Sequence, residues 1–190
     1  MSGTNEQPVE EDQLILKRIA GGDRQALTEL YLRYQRPLFN YLLQLTPDHG
    51  LAEELLQDTL VAVWKSARTF ENRSTVLTWL IGIARRQAHN TLRQRKLPLL
   101  YGTELEELAA TEPDPEDFTL ASVARDELVE AFKQLTPVHR EVLALILIQD
   151  QSYEETANIL GIPVGTVKSR LSNAKRILRT LLTTREEAGR

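Results

Sequence analysis

The chain has 190 residues, 23 Lys and Arg against 27 Asp and Glu, a formal net charge of −4, 8 prolines and no cysteine. That length allows one or two small domains, and the absence of cysteine rules out a disulfide framework or a thiolate metal site. The histidines (His49, His89, His139) are scattered without ligand spacing, so no metal and no cofactor is expected; no apolar run approaches the ~18 residues of a membrane span, and the polar, acidic start MSGTNEQPVEEDQ is not a secretory signal, so membrane insertion is not expected and a cytoplasmic location is.

The expected elements are all helical, with no sustained alternation of period two and no Asn-Gly or Asp-Gly hairpin. A short helix near 11–20 comes first. Asp23 is placed to cap a second over 24–45, with apolar Leu27, Leu30, Tyr31, Tyr34, Leu38 and Leu42, and with Pro37 loosening it locally. TPDHG at 46–50 reads as a turn. In the third helix, 51–68, Leu55, Leu56, Val63 and Trp64 bury one side, while Glu54, Gln57 and Asp58 share the other at i, i+3, i+4. Such an acidic face either receives a basic protein partner or is simply solvated.

Residues 70–76, FENRSTV, form a loop with an aromatic at one end and small polar groups within. A loop of this kind can hold a base drawn out of the stack, its polar groups reading the Watson–Crick edge. The alternative is that Phe70 and Trp79 are core aromatics; spacing favours the core for Trp79 and does not decide for Phe70. The helix over 77–96 has two faces: Leu80, Ala84, Ala88 and Leu92 form a buried stripe, and Arg85, Arg86, His89, Asn90 and Arg93 lie elsewhere on its surface.

Charge is segregated. Residues 85–96 are basic without an acid, 97–117 carry Glu104, Glu106, Glu107, Glu112, Asp114, Glu116 and Asp117 without a base, and 163–185 are acid-free again. Two DNA-contacting modules joined by a segment that avoids DNA fit this order. The acidic stretch 98–118, with Pro98, Gly102, Pro113 and Pro115, reads as a flexible linker with at most a short turn at 103–110. Helices resume at 120–135 and 137–149.

The C-terminal stretch SYEETANILGIPVGTVKSRLSNAKRILR, 152–179, carries the strongest signal. Ser152-x-x-Glu155 is a capping box. Gly161 closes that helix, and Pro163 suits the first turn of the next. Val167, Leu171, Ala174 and Leu178 form its buried stripe. Lys168, Ser169, Ser172, Asn173 and Arg176 are assigned to the opposite face, where they can bond base edges and phosphates. This is a DNA-binding helix-turn-helix with 163–179 as recognition helix.

These motifs together resemble the extracytoplasmic-function (ECF) sigma factors of bacterial RNA polymerase over roughly 10–183. AEELLQDTLVAVWKSARTF and TWLIGIARRQAHNTLRQRK are similar to the family's region 2, and 152–179 to its region 4. The resemblance implies two small helical domains, 10–97 and 120–185, joined by a flexible acidic linker at 98–119. It implies that 52–66, with Glu54, Gln57 and Asp58, docks on the β′ clamp helices of core polymerase, and that region 4 meets the β flap. Phe70, Glu71, Asn72, Arg73 and Ser74 would receive a flipped base of the −10 element, tracked by Arg85, Arg86, His89, Asn90 and Arg93. Thr166, Lys168, Ser169, Ser172, Asn173 and Arg176 would lie on the −35 element. The linker's acidity would mimic nucleic acid inside the polymerase, or simply reflect disorder. An anti-sigma factor is implied as a further partner, and a non-catalytic role.

The chain departs from the family pattern in places. The family's loop often reads F-R-G-E/D-S; here it is Phe70-Glu71-Asn72-Arg73-Ser74. Arg86 stands where Asn is common and Asn173 where Arg is frequent, so Asn173 is expected to shift −35 preference. A stand-alone helix-turn-helix regulator with a helical N-terminal domain is the alternative reading. An enzyme is remote, since no Gly-rich phosphate loop, nucleophile motif or metal cluster is present in the sequence.

Overall fold

The computed structural model describes residues 6–46, 48–95 and 125–188, and every element among them is helical. The expected linker at 98–119, its turn at 103–110 and the first residues of the helix expected from 120 lie outside the described residues. The chain divides into two compact units, Met1–Leu99 and Leu100–Arg190.

In the first unit α1 is Glu6–Ala20, α2 Arg24–Leu45, α3 His49–Ser66 and α4 Val76–Gln94, with a short 3₁₀ turn at Ala67–Thr69. α2 packs on α1, α3 and α4. Local chemistry sets the boundaries. Asp23 caps α2 by accepting from the backbone N–H of Gln25 and Ala26, Asp48 caps α3 through Leu51 N–H, and Thr75 caps α4 through Thr78 N–H. Helix α2 runs on through Pro37.

The core joins Ile15, Leu16 and Ile19 to Leu30, Leu38, Tyr41, Leu42, Leu45, Leu55, Val63, Leu80, Ile81 and Leu92. Leu27, Tyr31 and Tyr34, expected in the stripe of α2, are only half-buried, and Ala26, Tyr41 and Leu45 are buried in addition. Tyr34 is amphipathic in use. Its ring packs, and its hydroxyl bonds the Asp12 carboxylate; burial first, and that carboxylate second, raise the phenol well above its ordinary pKa. Trp64 is half-buried too, not part of the core. Ion pairs clip α1 to α2: Arg18 reaches Asp23 at 2.9 Å and Glu29 at 2.8 Å, and Arg33 reaches Glu11 at 3.2 Å.

In the second unit α5 is Arg125–Gln134, α6 Pro137–Leu143, α7 Tyr153–Leu160 and α8 Val164–Ala188. The single helix expected at 137–149 is α6 followed by a π-helical turn, Ala144–Ile148, closed by Gln149 N–H to Ala144 C=O at 3.0 Å. Arg140 finishes α5 by donating to the carbonyls of Phe132 and Leu135, at 3.2 and 3.0 Å. Helix α8 packs against α5, α6 and α7, and its Val167, Leu171, Ala174, Leu178 and Leu182 meet Ala131, Leu135, Val142 and Leu143 in one core. His139 is buried with Nδ1 2.8 Å from Thr136 Oγ1, at the cap of α6. No helix among the described residues is long and apolar enough to cross a membrane.

Candidate nucleic-acid interface

The helix-turn-helix forms as its punctuation dictates. Ser152 Oγ accepts from Glu155 N–H at 3.2 Å, and the Glu155 carboxylate accepts from Ser152 N–H at 3.0 Å, so the capping box is complete. Gly161, at φ 69° and ψ 35°, takes the left-handed conformation that ends α7. The carbonyl of Pro163 accepts from Val167 N–H at 3.1 Å, so Pro163 caps α8 and the helix starts at Val164, one residue later than expected. Helix α8 also continues beyond 179, to Ala188.

Val167, Leu171, Ala174 and Leu178 are buried as expected. One residue assigned to the opposite face is not there: Asn173 is only 6% exposed. The reason is geometric. Because α8 contacts three helices, burial spreads from the apolar stripe to a second ridge, Thr166, Arg170, Asn173 and Ile177, spaced i, i+4, i+7, i+11 and everywhere buried or half-buried. The solvent-facing arc instead carries Lys168, Ser169, Ser172 and Arg176, joined by Lys175 and Arg179, which the sequence reading left out although they lie in the same acid-free run. Lys168 and Arg176 are exposed; the others are half-buried. Ser169 donates to the Thr166 carbonyl at 3.1 Å. Lys168 Nζ stands 5.5 Å from the ring centroid of Tyr153, the first residue of α7, and this cation–π contact ties the head of one helix to the arc of the other.

In the first unit α4 makes a comparable arc. Leu80, Ala84, Ala88 and Leu92 are fully or nearly buried. Arg86, Asn90 and Arg93 are exposed, whereas Arg85 and His89 are half-buried on the flank. Trp79 is half-buried and lies at the start of the ridge that ends in exposed Arg86, Asn90 and Arg93 (79, 82/83, 86, 90, 93) rather than in the core, contrary to the expectation from its spacing. It lies against Phe70, ring centroids 5.3 Å apart and planes tilted by 55°, both rings half-buried. The loop between them is solvent-facing. Asn72 adopts a left-handed φ of 55°, which Asn tolerates and which explains how it can stand where the family often has Gly. Glu71 and Arg73 pair at 2.8 Å across it.

Helix α3 presents the opposite charge. Glu53, Glu54, Gln57 and Asp58 are exposed, and Val61, 51% exposed, sits one turn on among them. Glu54 is ion-paired with Arg95, the C-cap of α4.

Two family models match the chain: Sigma-70 region 2 over residues 30–97 and Sigma-70, region 4 over 125–178. The chain is 29% identical to the ECF RNA polymerase sigma factor SigK of Mycobacterium tuberculosis (strain ATCC 25618 / H37Rv), covering 88% of this chain and 91% of SigK. It is 32% identical to the RNA polymerase sigma factor YlaC of Bacillus subtilis (strain 168), covering 86% and 96%. Among solved structures it resembles the sigma factor RpoE of Bartonella quintana, crystallised with the anti-sigma factor NepR, at 29% identity and a TM-score of 0.62, covering 82% of this chain and 96% of that one.

Proposed function

This chain belongs to the extracytoplasmic-function sigma factors of bacterial RNA polymerase, and from that premise we propose how its three arcs divide the work of promoter-directed initiation. As a sigma factor it binds core polymerase and directs initiation at particular promoters. Residues 10–97 form the module for the clamp and the −10 element, 120–185 the module for the −35 element, and 98–119 the connection between them.

The observation that carries this reading is that each compact unit presents one acid-free arc, on α4 and on α8, while α3 presents an acidic one. On α8, Lys168, Ser169, Ser172 and Arg176 read the −35 element, with Lys175 and Arg179 on its phosphates. On α4, Arg86, Asn90 and Arg93 follow the −10 strand, with Arg85 and His89 at the edge. Phe70 and the loop Glu71–Asn72–Arg73–Ser74 take the flipped base. Glu54, Gln57 and Asp58 meet the β′ clamp helices, and region 4 meets the β flap.

The energetics follow from the chemistry. Lys and Arg release counterions from phosphates, a few side chains supply base readout, and capture of the flipped base offsets an unstacking cost of a few kcal/mol. Each unit alone binds weakly; held together on the polymerase they gain by effective concentration. The chain acts as a specificity subunit rather than a catalyst, in the cytoplasm beside the polymerase. An anti-sigma factor holds it inactive, as the NepR complex of the similar RpoE suggests.

A stand-alone regulator would need only α7 and α8 and leaves the arcs of α3 and α4 without a task. Footprinting separates the two: the holoenzyme, and not this chain alone, protects promoter DNA. Protection of a specific site by the chain alone would favour the regulator.

A further inference from the structure

Gly82 sits inside α4, where glycine is the least favourable residue short of proline. Nothing among the described residues asks for it. Its backbone is not in the left-handed region, unlike Gly22 and Gly161. A Cβ built on it would meet no atom within 4 Å, whereas one on Gly21 would come within 3.3 Å of the Arg18 carbonyl. Conformation and packing would therefore both accept alanine.

Its surroundings are specific. On the helix surface its neighbours are Trp79 at i−3, Arg85 at i+3 and Arg86 at i+4. It lies midway between the Phe70–Trp79 aromatic pair and the basic residues of the arc. Removing a Cβ there lets an approaching surface come closer to the helix main chain by roughly one C–C bond, about 1.5 Å. At that range a phosphate oxygen can accept Cα–H contacts while the two flanking guanidiniums neutralise it.

We infer that Gly82 is the point of closest approach between α4 and the sugar–phosphate backbone of the −10 strand, and that its small size is set by the DNA rather than by the fold. The inference rests on the proposed reading of the α4 arc as a DNA face. It makes a paired claim that a structural role would not: enlarging the residue helps the free protein and harms the complex.

The test uses full-length Gly82→Ala and Gly82→Leu. Three quantities are compared with wild type: the Tm of the free chain, the affinity for core polymerase, and holoenzyme binding to a fork-junction DNA bearing the −10 element that wild-type holoenzyme selects from a random library. Gly82→Ala is expected to raise the Tm by a few degrees and leave core affinity unchanged. Its affinity for the fork DNA is expected to fall by about two- to fivefold, the scale of one Cα–H···O contact, and that of Gly82→Leu further. Equal DNA binding by both variants and wild type would overturn the inference while leaving the functional reading intact. A loss confined to core affinity would assign the glycine to the polymerase instead. A lowered Tm for Gly82→Ala would show that the fold needs it. Wild-type holoenzyme that selects no DNA would sink the functional reading itself.

Discussion

Arg95, which ends α4, is ion-paired with Glu54 on α3, so the basic arc and the acidic arc of the first unit meet at one charge pair. Both side chains are nearly half exposed (44% and 48%), and exposed pairs contribute at most about 1 kcal/mol. The pair matters less for stability than for position: it joins the proposed polymerase face to the proposed −10 face. Replacing Glu54 and Asp58 together by Lys reverses the arc's charge where a basic partner is expected. Core polymerase affinity should fall at least about tenfold, while circular dichroism and Tm stay close to wild type. Undiminished core binding would remove this face from the interface.

Lys168 and Asn173 should behave in opposite ways although both lie in the recognition helix. Lys168→Ala removes an exposed cation and should weaken −35 binding by ~1–3 kcal/mol if it reads a base, or mainly flatten the salt dependence if it contacts phosphate. Asn173→Ala removes a buried polar group. It should cost the second unit about 1–3 kcal/mol of stability and leave the preferred −35 sequence unchanged. A changed −35 preference in Asn173→Ala, found by selection from a promoter library, would return that residue to the DNA face.

The aromatic pair gives a third test. Trp79 is half-buried, so Trp79→Ala should leave the unit folded. It removes the ring that backs Phe70 at the proposed flipped-base site, and open-complex formation, followed by permanganate reactivity of unpaired thymines, should slow by up to the about 1–3 kcal/mol that one base–aromatic stack is worth. Wild-type kinetics in Trp79→Ala would make the Phe70–Trp79 contact a purely structural one.

Asp23 links pH to the stability of the first unit. Hydrogen bonds from Ala26 N–H first, and Arg18 next, hold its carboxyl below the ordinary value of 3.8. A lowered folded-state pKa means that the stabilisation is complete above the ordinary carboxylate range and is lost as pH falls through the lowered value. Asp23→Ala should therefore reduce the Tm at neutral pH by a few degrees, and the gap should narrow as pH falls below the ordinary carboxylate value of 3.8. A Tm gap independent of pH over that range would show that the charge of Asp23 plays no part.

Punctuation was the most legible part of the chain. Ser152, Glu155, Gly161, Asp23 and the stripe Leu80–Ala84–Ala88–Leu92 speak through local chemistry, and each does in the fold what its sequence context demands. Periodicity failed where burial depends on how many neighbours a helix has. Asn173 is covered because α8 packs on three helices, and Trp79 stays half-open because no helix among the described residues covers that side of α4 fully. The π turn at Ala144–Ile148 was not readable, since ALILI is equally good α-helix. The Glu54–Arg95 pair spans 41 residues of sequence, a separation that no local pattern encodes.

Run-off transcription tests the central claim most directly: purified chain and bacterial core RNA polymerase on a promoter library, beside core-only and chain-only controls. The account predicts initiation at a defined set of fragments only when both components are present, with that set lost in the Glu54→Lys/Asp58→Lys variant. Initiation by core alone at the same fragments, or no initiation together with sequence-specific binding by the chain alone, would contradict it.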